Sequence, residues 1–331
     1  MAYELKRMEG QTALVTGGLG FIGSNIAHKL VELGARVKVV DACIDPYGWN
    51  MANLKGIEDK SEFVKADIRD KEAMEKAVEG VDCVFNCAAQ VSHIDSMSDP
   101  YLDIDINCRG NMTLLEALRK KNDKAKVVYA GTRGQLGAME YSPADEMHPD
   151  RPTDIYGVNK TAGEKYHLVY NKAYGMPATS IRINNSFGER HQMKHGKYGI
   201  MNWFIRLALE DKEITVYGDG SQKRDYNYIA DVVDAMILAA QADKTNGKYY
   251  YIGSGEPITF MDMTKKIIQA VGKGQLKQVP WPPERKAIEV GDFFVTFKAF
   301  SDDTGWEPRT GFDDGLRKTV EFYKQNLQEY V

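Results

Sequence analysis

The first half of the chain alternates short apolar runs with longer stretches in which apolar residues recur every three or four positions. The short runs are rich in β-branched residues and predict buried strands, and the longer stretches predict helices. The predicted strands contain Leu14 and Val15, residues 37–40, Phe63 and Val64, residues 81–85, residues 127–129 and residues 177–183. Because strands that alternate with helices are typical of a parallel sheet covered on both faces, we expect an α/β fold with a doubly wound parallel sheet.

The second half of the chain has a less regular pattern. It predicts a helix over residues 199–209, a strand over residues 214–217 and another helix over residues 231–242. Prolines around Trp281 and Trp306 break the remainder into short elements and loops. A smaller α/β lobe is therefore expected beside the sheet.

The domain organisation follows from these two patterns. The chain has 331 residues, 43% of them hydrophobic, which is enough to bury a full core. We expect residues 1–184 to form the first domain, with a returning segment near residues 226–254. Residues 185–225 and 255–331 are expected to form the smaller lobe.

The charge balance argues against two classes of partner. The chain has 43 basic and 47 acidic residues and a net charge of −4, without a long basic run. Nucleic acid and membrane surfaces are therefore not expected to be partners. No stretch approaches the ~18 apolar residues of a membrane helix, and the start of the chain lacks an apolar signal core. These features predict a cytoplasmic protein.

Four cysteines, Cys43, Cys83, Cys87 and Cys108, are present without the CxxC or histidine-rich spacing of a metal site. No metal is therefore expected. Cys83 and Cys87 lie in or beside an apolar strand, where free thiols behave as small hydrophobic groups.

A glycine-rich segment, residues 16–23, follows the first predicted strand and precedes a helix. Gly17 and Gly20 permit a tight turn and close approach to a pyrophosphate, and Gly23 allows the helix to pack closely on the sheet. The first turn of that helix, with Phe21 and Ile22, presents free amides to the phosphates. This pattern predicts a dinucleotide site in a Rossmann-type domain.

Two acidic positions extend the predicted dinucleotide site. Asp41 ends the second strand about 20 residues after the glycines, where a carboxylate can accept hydrogen bonds from ribose hydroxyls. It would repel a 2′-phosphate, so NAD is expected rather than NADP. Asp67 and Ile68 follow the third strand and are expected to contact the adenine.

Tyr156 and Lys160 are spaced to lie on one face of a helix predicted over residues 156–174. We expect the ammonium of Lys160 to lower the pKa of Tyr156 towards a range in which the phenol can take a hydroxyl proton. This chemistry is that of hydride transfer.

Taken together, these motifs and the segment Asn86-Cys87-Ala88-Ala89-Gln90 resemble the extended short-chain dehydrogenase/reductase family, and within it the nucleotide-sugar epimerases and dehydratases. The resemblance covers nearly the whole chain, because the second half adds Asn185, residues 217–225 and residues 311–316. It implies that Ala88 and Ala89 contact NAD, and that Thr132 joins Tyr156 and Lys160 in catalysis. A threonine at a strand end can instead bond to the backbone.

The same resemblance bears on the reaction. Dehydratases and decarboxylases of the family commonly place an acid within two positions after the threonine, whereas this chain has Arg133 and Gly134. Without that carboxylate, elimination is harder to catalyse, so epimerisation is favoured. Tyr156 is expected to deprotonate a sugar hydroxyl, at C4 in the first hypothesis.

The resemblance also implies a set of residues that bind the substrate. Asn185 and Arg224 match positions that bind a diphosphate, and Tyr217 is the expected neighbour of the base. Arg190 could bind a uronate carboxylate or face solvent. The predicted substrate contacts are Gln90, His93, Thr132, Arg133, Asn185, Arg190, Tyr217 and Arg224.

Several functions remain open at this stage. The first hypothesis is an NAD-dependent UDP-hexose or UDP-hexuronate 4-epimerase. Residues 288–293 are similar to those of CDP-sugar 2-epimerases, and dehydratase or reductase activity is also considered. A non-catalytic NAD sensor is the alternative of another class. The family further implies a homodimer formed by helices near residues 104–118 and 156–174.

Overall fold

The structure is a computed structural model that describes residues 3–286 and 289–331. Its strands alternate with helices through the first half of the chain, as predicted. The strands are β1 (Thr12–Thr16), β2 (Arg36–Asp41), β3 (Ser61–Lys65), β4 (Cys83–Asn86), β5 (Lys126–Thr132), β6 (Ala178–Ile183), β7 (Asn185–Phe187), β8 (Glu213–Tyr217), β9 (Lys223–Arg224), β10 (Tyr226–Tyr228), β11 (Lys248–Ile252), β12 (Ile258–Thr259) and β13 (Gln275–Val279).

Helices pack on both faces of the sheet and in the second half. They are α1 (Phe21–Glu32), α2 (Lys71–Ala77), α3 (His93–Ser98), α4 (Pro100–Ile104), α5 (Asn111–Lys121), α6 (Ile155–Tyr174), α7 (Ile200–Leu209), α8 (Ile229–Gln241), α9 (Phe260–Val271), α10 (Pro283–Lys286), α11 (Lys298–Thr304) and α12 (Phe312–Asn326). No helix among the described residues is long and apolar enough to cross a membrane.

Seven of the described strands form one parallel sheet in the order β11-β6-β5-β4-β1-β2-β3. The predicted fold class is therefore confirmed. The apolar runs are buried on both faces: in β1, Ala13 and Val15 pack into one core, and Leu14 packs into the other. The sequence order reverses between β1 and β4, so the ends of these strands open a crevice where ligands bind in such folds.

The second half adds three small strand pairs beside this sheet. β7 pairs with β10 and β8 pairs with β13, both in parallel, and β9 pairs with β12 in an antiparallel arrangement. β11 instead returns to the large sheet and lies beside β6. The second half of the chain therefore contributes one strand to the large sheet and three small strand pairs beside it.

The helix predicted near residues 104–118 differs from the simple prediction. A π-helical turn, Asp105–Gly110, separates α4 from α5. There, Gly110 packs against Ile68, and a Cβ at this glycine would lie 2.5 Å from the Ile68 Cγ2 atom. The irregular turn thus allows the helix to approach the end of β3.

Buried ion pairs fix α6 on the sheet. Arg182 of β6 is fully buried, and its Nε donates to the Glu164 Oε2 atom of α6 at 2.9 Å. Its Nη2 donates to Asp150 at 2.9 Å, and Nη1 also contacts the Tyr251 hydroxyl of β11. Because buried charges need satisfied partners, this network fixes α6, which carries Tyr156 and Lys160.

Candidate active site

A cavity of about 430 Å³ opens at the carboxyl ends of the central strands. It brings together most of the predicted site residues, which come from every part of the first half and from Asn185. Those that line it are Gly17, Gly20, Phe21, Ile22, Gly23, Asp41, Asp67, Ile68, Ala88, Ala89, His93, Thr132, Arg133, Tyr156, Lys160 and Asn185. The predicted substrate residues Gln90, Arg190, Tyr217 and Arg224 are not part of this lining.

The glycines of the β1–α1 loop allow close backbone contacts. Gly17 has a φ of +64°, and a Cβ on it would lie 2.8 Å from the Ala88 nitrogen. A Cβ on Gly23 would lie 2.3 Å from the Gly17 oxygen. Gly20 is the N-cap of α1 and offers no side chain to the first turn. The first-turn amides and the positive end of the helix dipole therefore suit a pyrophosphate.

Asp41 links the glycine loop to the end of β2. Its Oδ2 accepts from the Leu19 amide at 3.1 Å, and its Oδ1 accepts from the Cys43 amide at 2.9 Å. Burial raises the pKa of this carboxyl. Each oxygen keeps a further lone pair, so the side chain can also accept from two neighbouring hydroxyls of a ribose.

Asp67 and Ile68 form the wall beyond β3. Arg69 donates to both Asp67 oxygens, from Nε at 2.9 Å and from Nη2 at 2.6 Å. This arginine, which the sequence reasoning missed, holds the carboxylate at the edge of the cavity. Ile68 is buried and gives that wall an apolar surface.

Thr132 and Tyr156 meet at the end of β5. The Thr132 hydroxyl accepts from the Gly134 amide at 3.2 Å, which is the backbone role considered for this residue. It also lies close enough to the Tyr156 phenol to oppose the rise in the pKa of the tyrosine. The two oxygens can therefore converge on one substrate hydroxyl.

The electrostatics of Tyr156 differ from the prediction. Its pKa is raised to about 12, chiefly by burial and also by the charges of Asp103 and Asp154, while Thr132 and the charge of Arg133 oppose the rise. The predicted lowering of the pKa by Lys160 is therefore wrong for this structure. The reason is desolvation of the buried phenol, to which the charges of Asp103 and Asp154 add, and Lys160 is not among the groups that oppose it.

Lys160 is bound to the strand rather than aimed at the phenol. Its Nζ donates to the Ala130 oxygen at 2.7 Å and lies 4.2 Å from the centroid of the Tyr129 ring. Burial lowers its pKa to about 8. The lysine lines the cavity, where its remaining N–H groups can reach a ribose.

A histidine–aspartate pair adjoins Tyr156. The Nδ1 atom of His93 lies 2.5 Å from the Asp154 Oδ2 atom, and its ring centroid is 4.8 Å from that of Tyr156. Asp154 also accepts from the Gly157 amide at 2.7 Å as the N-cap of α6. Sequence reasoning missed Asp154, although an aspartate two residues before the tyrosine is a recognisable cap signal.

The substrate side of the cavity contains Arg133 and Asn185. The Arg133 Nε donates to the Asn185 Oδ1 atom at 2.9 Å, and the guanidinium carbon lies 5.0 Å from the centroid of the Phe293 ring. Tyr226, another residue that the sequence reasoning missed, lines the cavity with a buried hydroxyl. That hydroxyl has no hydrogen-bond partner in the described part of the chain.

The side chains of Gln90 and Arg190 form hydrogen bonds within the protein, although both were predicted to contact the sugar. The Gln90 amide donates to the Ser92 oxygen at 3.0 Å and stabilises the local loop. Arg190 has a left-handed φ of +68°, and its Nη1 donates to the Asn25 Oδ1 atom of α1 at 2.9 Å. The predictions that these two side chains contact the sugar are therefore not supported by their placement.

Tyr217 and Arg224 do not line the cavity and contact residues outside its lining. The Tyr217 ring packs on Trp281 with a centroid distance of 5.5 Å. Arg224 forms an ion pair with Glu289 and donates to the Gly291 oxygen. Both partners of Arg224 belong to the segment 288–293 that was compared with CDP-sugar 2-epimerases, and Ile288 of that segment lies outside the described residues. The substrate contacts implied for Tyr217 and Arg224 stay predictions, since neither side chain lines the cavity.

A family model described as "NAD dependent epimerase/dehydratase family" matches residues 13–253. The chain belongs to this family. The predicted family is thereby confirmed, the protein is an enzyme that acts on nucleotide sugars, and the cofactor of this epimerase/dehydratase family member is NAD. Its glycine loop, Asp41 and the apolar wall at Ile68 fit the pyrophosphate, ribose and base of that cofactor.

Relatives of both reaction types are similar to this epimerase/dehydratase family member. The UDP-glucose 4-epimerase of Mycolicibacterium smegmatis is 33% identical over 325 residues, covering 95% of this chain and 99% of the relative. The dTDP-glucose 4,6-dehydratase of Streptomyces niveus is 28% identical and covers 95% and 93%. The crystal structure of Thermotoga maritima UDP-glucose 4-epimerase with UDP-glucose is 30% identical, covers 96% and 100%, and has a TM-score of 0.86.

Proposed function

We propose that this protein epimerises a nucleoside diphosphate sugar, with C4 of a UDP-hexose or UDP-hexuronate as the first choice of reacting carbon. The observation that carries the proposal is the meeting of Thr132 and Tyr156 in the cavity without a carboxylate at the next two positions. The similarity to two UDP-glucose 4-epimerases supports the same choice.

In the proposed cycle, Tyr156 moves the proton. As phenolate it accepts the proton of the sugar hydroxyl, and Thr132 holds the same oxygen. NAD, which the β1–α1 loop and Asp41 would hold, would supply the hydride acceptor and donor for inversion at the sugar carbon. Because the pKa of Tyr156 is about 12 here, a positive charge brought beside the phenol is needed to favour the phenolate near neutral pH.

Dehydration is the second candidate reaction, and the His93–Asp154 pair favours it. A dehydratase must move a second proton, and an imidazole hydrogen-bonded to a carboxylate can do so. The His93 ring lies beside Tyr156 and lines the same cavity, and Asp154 holds that ring from outside the lining. The similarity to a dTDP-glucose 4,6-dehydratase points the same way.

A product assay separates the two reactions. We would incubate the purified protein and NAD with UDP-, CDP-, GDP- and dTDP-sugars and identify the products by NMR. The expected product is a sugar with one inverted carbon and no net change in NADH. A 4-keto-6-deoxy sugar would contradict the epimerase proposal and support dehydration. Unaltered sugars throughout would leave the NAD-sensing alternative.

A homodimer is also proposed, because apolar side chains are exposed on α3, α4 and α6. Tyr101 is 80% exposed and Met97 is 61% exposed, and Val169 and Tyr174 are exposed on α6. Exposed apolar patches of this kind mark association surfaces. Light scattering should give twice the chain mass for the wild type and the monomer mass for Tyr101→Asp. A monomeric wild type would contradict the proposal.

A further inference from the structure

Arg133 lies directly after Thr132, and its side chain lines the same cavity as Tyr156. One edge of its guanidinium is fixed by Asn185, to which Nε donates at 2.9 Å, and one face lies over Phe293 at 5.0 Å. The orientation of the side chain is thus defined, and the terminal nitrogens of the fork remain for another partner.

The charge of Arg133 is not balanced by an ion pair with any side chain that the structure describes, a set that leaves out residues 284 and 285 as well as 1, 2, 287 and 288. The neighbouring Arg224 pairs with Glu289, whereas the salt bridges of the described residues include no partner for Arg133. Asp154 lies close enough to Arg133 for its pKa to respond, but its oxygens bind His93 and the Gly157 amide.

The surroundings of this guanidinium make an anion favourable there. Burial, followed by the charge of Arg224, lowers the pKa of Arg133 to about 10. The hydroxyl of Tyr226, buried beside both arginines and without a partner in the described regions, offers a second donor. A ligand with a negative charge would satisfy both groups and restore the charge balance.

We propose that Arg133 binds a carboxylate carried by the sugar, so that the substrate is a nucleoside diphosphate uronic acid. This inference rests on the proposed function. A planar carboxylate matches the guanidinium fork. Arg133 adjoins the residue that holds the reacting oxygen, and Arg224 lies behind it against Glu289 and Gly291. The anion is therefore assigned to the sugar rather than to the diphosphate.

The test compares pairs of nucleotide sugars that differ only at C6. These are UDP-glucose and UDP-glucuronate, UDP-galactose and UDP-galacturonate, GDP-mannose and GDP-mannuronate, and dTDP-glucose and dTDP-glucuronate. The kcat/KM of the wild type with NAD should be roughly 100-fold higher for the uronate of one pair than for its neutral partner, as expected for a buried charge pair.

Variants assign that preference to Arg133. In Arg133→Gln, the ratio of kcat/KM for the uronate to kcat/KM for its neutral partner should fall roughly 100-fold. Arg133→Lys should recover only part of the loss, because an ammonium cannot bind both oxygens as a fork. The matched control Arg317→Gln removes an exposed arginine of α12 and should change neither value. Melting temperature and NAD binding are measured for every variant.

Each other outcome overturns the inference in a distinct way. A wild type that prefers the neutral sugars excludes a uronate substrate but leaves epimerisation standing. An equal loss for both sugars in Arg133→Gln assigns the side chain to the diphosphate. No turnover of any nucleotide sugar contradicts the proposed function, and this inference falls with it.

Discussion

The two halves of the cavity were predictable to different degrees. Every residue predicted to contact the cofactor lines the cavity, and most of them belong to the half formed by the β1–α1 loop, Asp41, Asp67, Ile68, Ala88 and Ala89. On the substrate half, four of the predicted residues have other partners, as Arg190 and Tyr217 show. The first half is built from segments close to strand ends, whereas the second is built from loops distant in sequence. A local motif therefore fixes the first half, and tertiary packing decides the second.

The largest expected effect is the loss of kcat on replacing Tyr156, which lies at the boundary between the cofactor half and the substrate half of the cavity. Replacing Tyr156 by Phe removes the only oxygen of that side chain, and kcat should fall about 1000-fold because the proton transfer loses its base. NAD binding, measured by calorimetry, should be retained. Tyr170→Phe is the matched control on the same helix, since Tyr170 bonds Glu116 away from the cavity. Near-normal turnover in Tyr156→Phe would contradict the catalytic role assigned to Tyr156.

A pH titration of stability sharpens the picture of Lys160. Its folded-state pKa is about 8 against an ordinary value of 10.5, so between these values the unfolded chain binds the extra proton. The unfolding free energy of the wild type should therefore rise with pH relative to Lys160→Met, by about 1.4 kcal/mol per pH unit. Urea titrations from pH 7.5 to 10 measure it.

The control for Lys160 is a lysine remote from the cavity. Burial also lowers the pKa of Lys126 to about 8, and its ammonium bonds Thr179 and Thr245. The unfolding free energy of the wild type should rise with pH relative to Lys126→Met, as it should relative to Lys160→Met. Lys126→Met should also keep the affinity for NAD. A flat difference between wild type and Lys160→Met over this range would mean that Lys160 is hydrated.

A smaller effect, on stability, is expected from a variant that tests the close packing of the cofactor half. Gly23→Ala would place a Cβ 2.3 Å from the Gly17 oxygen, and overpacking of this kind costs about 2 kcal/mol. Gly311→Ala is the matched control, because no atom lies within 4 Å of its Cβ position. Urea denaturation should separate the two variants. Equal stabilities would show that the loop can relax away from the helix.

The smallest expected effect is on the substrate half. Arg190→Gln loses its bond to Asn25 but no contact with the cavity, so kcat/KM should change less than about threefold. Steady-state assays with the preferred nucleotide sugar would measure it. A loss of 100-fold would place Arg190 at the substrate and remove the contrast between the two halves.

The sequence predicted the sheet and the cofactor loop because their signals are local. The apolar runs around Leu14 and Val84 determine buried strands, and the glycine spacing requires one particular turn. The placement of Arg190 depends on a left-handed backbone and on Asn25 of a distant helix, which no local pattern encodes. The raised pKa of Tyr156 likewise depends on burial by the whole fold. The division of the chain at residue 184 and the cytoplasmic location stay predictions.

The return of β11 to the sheet has a consequence for synthesis on the ribosome. β6 is buried along its whole length and pairs with β11, so a nascent chain that has emerged only to residue 184 carries β6 as an open edge. Such an edge can pair with other chains and lead to aggregation. The edge is covered only when Lys248–Ile252 has left the exit tunnel. Completion of the nucleotide-binding sheet is thereby delayed until most of the polypeptide has been translated.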